Sequence, residues 1–373
     1  MDISIPLFKV HMPESAHAAL KATCESGYIA QGAQVAEFER KLAAYTGNAQ
    51  VCAMSDVSGA LTLALFMAGV RPQDEVIVSP MVCLASSMPI ANLFARPVWC
   101  DVDPVTGMLD PARIPDLVTP RTRAILAYHW SGDVADLEAL QQAARAHGLR
   151  LIEDASEAFG AEYRSARLGN HGSDFCIYSF SAVRQITAGD GAALFCSGAL
   201  DYEQARRLRH YGIHQPSFRL PGGDLNPDSD IATPGFNFCM NNIAASIGLA
   251  QFALVDDLLA RQRANGRYFD EALAGVRGVT LLARREDAVS GYWTYSLRAE
   301  RRADLMRKLH GNGIGCQRLH LRNDRYSCFA HLRRDDALPG VDLFDHENLS
   351  IPCGWWLTRE ERERIAACIR AGW

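Results

Sequence analysis

Short apolar runs recur through the first 154 residues, each separated from the next by enough chain for a helix. Val51–Met54, Glu75–Ser79, Pro97–Asp101, Arg123–Tyr128 and Arg150–Glu153 read as strands, because a strand buried on both faces is a continuous rather than alternating apolar run. Between them lie a helix from Ala60 to Gly69, ended by a glycine, and an amphipathic helix from Ala135 to His147 with Leu137, Leu140 and Ala144 on one face. Repeated strand–helix units imply a mostly parallel sheet with right-handed crossovers and helices on its faces. Such a sheet binds ligands beyond the carboxyl ends of its strands, so the residues just after each strand are the ones to inspect.

Two further strands are expected at Cys176–Ser181 and Ala192–Cys196, and a long helix near Met240, with Ile243, Ile247, Ala250 and Leu254 at helical spacing. Beyond residue 265 the pattern shortens into strands (Val279–Leu282, Thr294–Leu297) and helices (Ala303–His310, Arg359–Ile369). This divides the chain into a large α/β domain over 1–255 and a smaller α+β domain over 256–373.

Composition excludes several classes. A net charge of -5 gives no cationic field for nucleic acid or anionic membrane, and neither is expected as a partner. The apolar stretch Ala60–Val70 falls short of the roughly 20 residues a membrane helix needs, and no signal-like segment opens the chain, so a cytoplasmic location is expected. The 11 cysteines are scattered and never spaced C-x-x-C, which argues against a disulfide framework or thiolate zinc site; no metal is expected. Of 38 basic residues only Lys9, Lys21, Lys41 and Lys308 are lysine.

Three segments could carry chemistry. Asp154 ends the strand Leu151–Asp154, where a carboxylate could face a cofactor nitrogen or simply cap a following helix. Ser55–Ala60 joins strand to helix, so its amides and the Ser58 hydroxyl could cradle a phosphate, or Ser58 could serve as a plain cap. Ser179–Gly191 runs from a strand through polar residues to Gly189-Asp190-Gly191, an ordinary turn if taken alone.

Together, in this order, they resemble the DegT/DnrJ/EryC1/StrS sugar aminotransferases, which are fold-type I pyridoxal-phosphate enzymes. Matching stretches are Ile5–Lys9, Gly27–Gly32, Val98–Pro104, Ile152–Gly160, Thr187–Gly191, Gly235–Met240 and Ile247–Gln251; the tail segments His320–Asp324 and Ile351–Trp356 resemble one subgroup. The resemblance implies a large domain with a mostly parallel central sheet flanked by helices and a smaller C-terminal α+β domain. It implies pyridoxal 5'-phosphate or pyridoxamine 5'-phosphate as cofactor, with Asp154 at the pyridine nitrogen. Val57 and Ser58 would form the phosphate cup, Ser179 would add a second hydroxyl, and Cys83 and Glu157 would line the ring site. Asn237 would reach the phosphate from a neighbouring subunit of a homodimer, unless it caps the helix near 240. A keto-sugar nucleotide and glutamate are the implied substrates.

One position departs from the family. In Ser179-Phe-Ser-Ala-Val-Arg184, arginine stands where the family pattern S-F-x-x-x-K has the Schiff-base lysine. Guanidinium stays protonated and is no nucleophile towards an aldehyde. The phosphate loop also drifts, reading Asp56-Val57-Ser58 in place of an Asn/Ser-Gly-Thr type sequence. Five outcomes are open: a nominal transaminase, a pseudoenzyme, a partner subunit, a lysine-independent, pyridoxamine-using enzyme of the sugar-dehydratase kind, or an engineered lysine-to-arginine variant.

Overall fold

A computed structural model of the chain describes residues 3–330, 332 and 337–373. Seven strands form the central sheet: β1 (Val51–Met54), β2 (Glu75–Val78), β3 (Arg96–Trp99), β4 (Thr122–Tyr128), β5 (Arg150–Asp154), β6 (Phe175–Ser179) and β7 (Ala192–Cys196). Their order across the sheet is β1-β7-β6-β5-β4-β2-β3. Every pairing is parallel except those of β7, which runs antiparallel to both β1 and β6. The mostly parallel sheet expected from sequence is therefore present, with one reversed strand the apolar pattern did not reveal. Side chains such as Val76, Ile125, Ile152, Ile177 and Leu194 are fully buried, as a sheet covered on both faces requires.

The helices that cover the sheet begin just after strands. The helix α1 (Val57–Met67) follows β1 by two residues, α2 (Leu84–Asn92) follows β2, and α3 (Leu137–His147) joins β4 to β5. Near residue 240 the single expected helix is two. One spans Asn242–Phe252 and the next Val255–Ala272, bent by 63° at the break, so Leu254 caps the second rather than continuing the first. Among the described residues no single helix is long and apolar enough to cross a membrane.

A second sheet of three antiparallel strands, β8 (Val279–Leu281), β9 (Tyr295–Ala299) and β10 (Asn348–Ile351), has β9 in the middle. Phe269, Tyr295, Leu309, Leu349 and Ile365 pack a core of its own, which Ile5 joins. Ile5 reaches it because Gly315 lies against the N-terminal segment: a Cβ there would stand 2.8 Å from the Leu7 amide nitrogen.

Candidate active site

The carboxyl ends of β1, β2, β4, β5 and β6 bring the expected residues to one edge of the sheet. Tyr128 and Asp154 are register partners across β4 and β5, and Ile177 of β6 pairs with Asp154 from the other side. Asp154 is buried. Its Oδ2 accepts from the Ser86 hydroxyl of α2 at 2.6 Å and its Oδ1 from the Ser156 amide at 3.0 Å. Residues 155–160 are turns rather than helix, so Asp154 closes a turn and caps no helix. Glu153, next in the strand, points to the opposite face and pairs with buried His129 at 3.0 Å.

At the start of α1 the cap is Asp56, whose Oδ1 accepts from the Gly59 amide at 2.7 Å while Ser55 donates to its Oδ2 at 2.8 Å. Ser58 is thus free of the capping role its sequence position suggested. Its hydroxyl makes no hydrogen bond among the described residues, and the amides of Val57 and Ser58, as the first two of the helix, have no intrahelical acceptor. Ser179 ends β6 with its hydroxyl 3.3 Å from both the Ser181 hydroxyl and amide. Asn237 is exposed, its backbone bridged to His210. It does not cap the helix near 240; Asn241 does, accepting from the Ala244 amide.

Glu157 is the hub of the site. Fully buried, it accepts from the Ser131 amide at 2.7 Å through Oε2 and meets His320 Nε2 at 2.8 Å through Oε1. Tyr128 Oη stands 3.0 Å from the same His320 nitrogen. Burial alone would raise the Glu157 carboxyl. The His320 hydrogen bond and charge, the Arg184 charge and the Tyr128 hydroxyl outweigh it and hold the group below its ordinary value of 4.5. Ser131 aims its amide at Glu157 from a left-handed conformation, φ 59°, an uncommon state for a non-glycine residue. Beside it Gly132 (φ +99°) permits the chain at Tyr292–Trp293 to pass, since a Cβ would lie 2.7 Å from the Tyr292 amide.

Arg184 has a side chain only 8% exposed, with Nη1 3.6 Å from Glu157 Oε1, beyond hydrogen-bond reach. Its guanidinium lies over the Trp293 ring, 4.2 Å from the centroid. Trp293 is itself fixed, donating to the Val183 carbonyl at 2.7 Å and stacked on Phe8 at 5.0 Å. Nε and Nη1 of Arg184 are buried with no hydrogen-bond partner. A sealed, unpaired donor costs about 1–3 kcal/mol, more when charged, and such groups gather at functional sites. Cys83, at the start of α2, is half-buried; burial pushes its thiol up while the Arg184 charge pulls the other way.

No lysine takes the place of Arg184. Lys9 lies over Trp355, Lys21 pairs with Glu25, Lys41 sits on the exposed face of the helix Ala33–Thr46, and Lys308 donates to the Gly372 carbonyl.

In the sequence His320 stands out only as part of a tail segment that resembles one subgroup, and nothing local to it points to Glu157 or Tyr128. Arg322 is committed to a bidentate pair with Asp324 at 2.7 and 2.8 Å. Asn323 docks the segment onto the Val82 carbonyl just before α2 and the Ser87 hydroxyl within it. Ser86, Ser131 and Trp293 were missed as well; each acts through a partner remote in sequence.

Comparison with known proteins agrees with this geometry. The model of the DegT/DnrJ/EryC1/StrS aminotransferase family matches residues 11–370. The chain is 33% identical over 349 residues to the GDP-perosamine synthase of Caulobacter vibrioides, covering 91% of this chain and 90% of that protein. Among solved structures, AtS13 from Actinomadura melliaura superposes with a TM-score of 0.92 at 38% identity over 99% of both chains. The sugar aminotransferase CalS13 from Micromonospora echinospora gives 0.93 at 35% identity, over 99% of this chain and all of that one.

Proposed function

From the premise that this chain belongs to the DegT/DnrJ/EryC1/StrS aminotransferase family, we propose that it binds pyridoxal or pyridoxamine 5'-phosphate without covalent attachment. In the same reading it recognises a keto-sugar nucleotide and does not by itself complete transamination with glutamate. What supports this is Arg184: a buried guanidinium, 3.6 Å from Glu157, in the segment Ser179–Arg184 where the resemblance implies the family's lysine.

The residues present fit such a cofactor. Asp154 offers a buried carboxylate at the end of β5, oriented from both sides by Ser86 and Ser156. The free amides at the start of α1, with the Ser58 and Ser179 hydroxyls, suit a phosphate at a helix N-terminus. The capping carboxylate of Asp56 makes that cup less electropositive than an Asn or Ser cap would. Asn237, exposed and with no side-chain hydrogen bond among the described residues, is available to a neighbouring subunit, and a homodimer with shared sites is part of the proposal. Residues 1–255 would hold the cofactor and residues 256–373 would help close the site, contributing Trp293 and His320.

When bound, the cofactor supplies an electron sink for a carbanion at the amine-bearing carbon. Asp154 would hold the proton on the ring nitrogen that makes the sink effective. Glu157, fixed by Ser131 and His320, would keep Arg184 in place, and Trp293 would shield one face of that guanidinium from water. What a lysine would add is an amine that can lose its proton, attack an aldehyde and then shuttle a proton, none of which guanidinium does.

Arg184→Lys is the test. With pyridoxal phosphate the natural chain should give no adduct after borohydride reduction, while Arg184→Lys should turn yellow, give a reducible adduct at residue 184 and exchange nitrogen with glutamate. A stoichiometric adduct on the natural chain would overturn the proposal, and an Arg184→Lys protein that binds no cofactor would leave a decayed pocket as the better account.

A further inference from the structure

The Arg184 guanidinium has spare donor capacity that none of the described residues uses. Its one ionic partner among the described residues, Glu157, is already committed: Oε2 accepts from the Ser131 amide and Oε1 meets His320 at 2.8 Å, leaving Nη1 3.6 Å away. Nε and Nη1 are sealed without an acceptor, and no hydrogen bond of Nη2 to any described residue exists either. Stacking on Trp293, itself held by the Val183 carbonyl and by Phe8, limits where the head can go. Guanidinium carries five N–H donors and no acceptor, so a partner that completes it must bring oxygen lone pairs.

The two forms of the cofactor differ in this respect. The aldehyde form presents a carbonyl oxygen that accepts from N–H donors. The amine form presents, at neutral pH, an ammonium that is itself donor-only and positive. With the cofactor's reacting carbon where the resemblance implies it, the first would accept from the buried guanidinium, while the second would bring a like charge into a poorly solvated site, where juxtaposed like charges are strongly disfavoured.

We propose that Arg184 is a specificity-determining residue that selects the aldehyde, pyridoxal 5'-phosphate, over the amine, pyridoxamine 5'-phosphate, as a non-covalent ligand. This rests on the cofactor reading above. It also sets the chain apart from lysine-independent enzymes that work from the amine form: the replacement of lysine by arginine removes the covalent bond and at the same time biases the pocket against the form that would make the bond unnecessary.

The experiment is calorimetric titration of the full-length apoprotein with each cofactor form at one pH and ionic strength, followed by borohydride reduction and mass measurement to establish non-covalent binding. Pyridoxal phosphate should bind at least about tenfold tighter, equivalent to ~1.4 kcal/mol. Arg184→Gln, which keeps donors but removes the charge, should bring the two affinities to within about threefold, or ~0.7 kcal/mol. Equal or tighter binding of the amine by the natural chain would overturn the inference, as would an Arg184→Gln protein with an unchanged ratio. If Arg184→Gln fails to fold, Arg184→Met, which also removes the charge, takes its place, and an unchanged ratio there overturns the inference. Binding of neither form would overturn the underlying cofactor reading and this inference with it, whereas binding of both without preference would overturn only the role of Arg184.

Discussion

The two halves of the Arg184–Glu157 ion pair are expected to contribute unequally to stability, and the inequality follows from who else each one touches. At 3.6 Å the pair's attraction is about 4–5 kcal/mol at an effective dielectric of 20, before the desolvation of both groups is set against it. Removing Glu157 leaves its partners short: Arg184 loses its one counter-charge among the described residues, the Ser131 amide loses its acceptor behind a left-handed backbone, and His320 keeps only the Tyr128 hydroxyl. Loss of one partner of a buried pair costs about 3–5 kcal/mol, and Glu157→Gln, which keeps one carbonyl oxygen, should fall at the lower end. Removing Arg184 leaves Glu157 with Ser131 and His320 still in place. Arg184→Met forfeits the pair and a contact with Trp293 worth about 0.5–2 kcal/mol. It also relieves two sealed donors at about 1–3 kcal/mol each and the desolvation of the guanidinium, while retaining an apolar stem of similar length. The net change should lie within about 1 kcal/mol of zero. Thermal unfolding of the apoproteins at one protein concentration is the assay, each kcal/mol being worth at most about 2–4 °C in a chain this long. Glu157→Gln should melt several degrees lower and Arg184→Met close to the natural chain, with the double variant recovering part of the Glu157→Gln loss. If Arg184→Met is destabilised as much as Glu157→Gln, the guanidinium is a structural member of the fold, and the argument that it is held in readiness for a ligand is refuted.

Asp154→Asn keeps an acceptor for Ser86 and leaves the phosphate anchors untouched, so cofactor affinity should fall by less than about tenfold; in an Arg184→Lys background nitrogen exchange should fall far more, and equal losses would make the carboxylate purely structural. Asn237→Ala should leave the melting temperature of the chain unchanged, within about 0.5 kcal/mol. It should weaken cofactor binding only where the protein is dimeric, which sedimentation and titration at matched concentrations would read. The Glu157 carboxyl titrates below its ordinary value of 4.5 in the folded chain. Its contribution is therefore complete above that value and lost as pH falls through the lower folded one. The gap in melting temperature between the natural chain and Glu157→Gln should be constant from about pH 6 to pH 5 and close below about pH 4.5, and a gap that widened on acidification would contradict the sign.

What could be read in the sequence, and what could not, divides along the range of the interactions. Strands such as Val51–Met54 and Ala192–Cys196 were legible to the residue because a strand buried on both faces needs an unbroken apolar run. That same absence of alternation hides direction: Ala192–Cys196 is as apolar reversed as forward, and its antiparallel pairing came only with the structure. Periodicity ran on through Leu254 because a helix bent at Ala253–Leu254 resumes with its apolar side still inward. Asp154 shows how local chemistry misleads. Asp followed by Ala-Ser-Glu-Ala has the composition of a capped helix, yet Glu157 is drawn inward by an amide 26 residues away and a histidine 163 residues away, and the segment folds as turns. Arg184 stands out in the sequence as one residue of one motif; its surroundings depend on Trp293, His320 and Ser131, brought to it from segments that no spacing rule connects. Where a lysine would need only an aldehyde in front of it, an arginine has to be held, stacked and counter-charged. The site supplies each of these to Arg184 and still leaves its donors unmet, which is the reason to look for the missing acceptor in a ligand rather than in the protein.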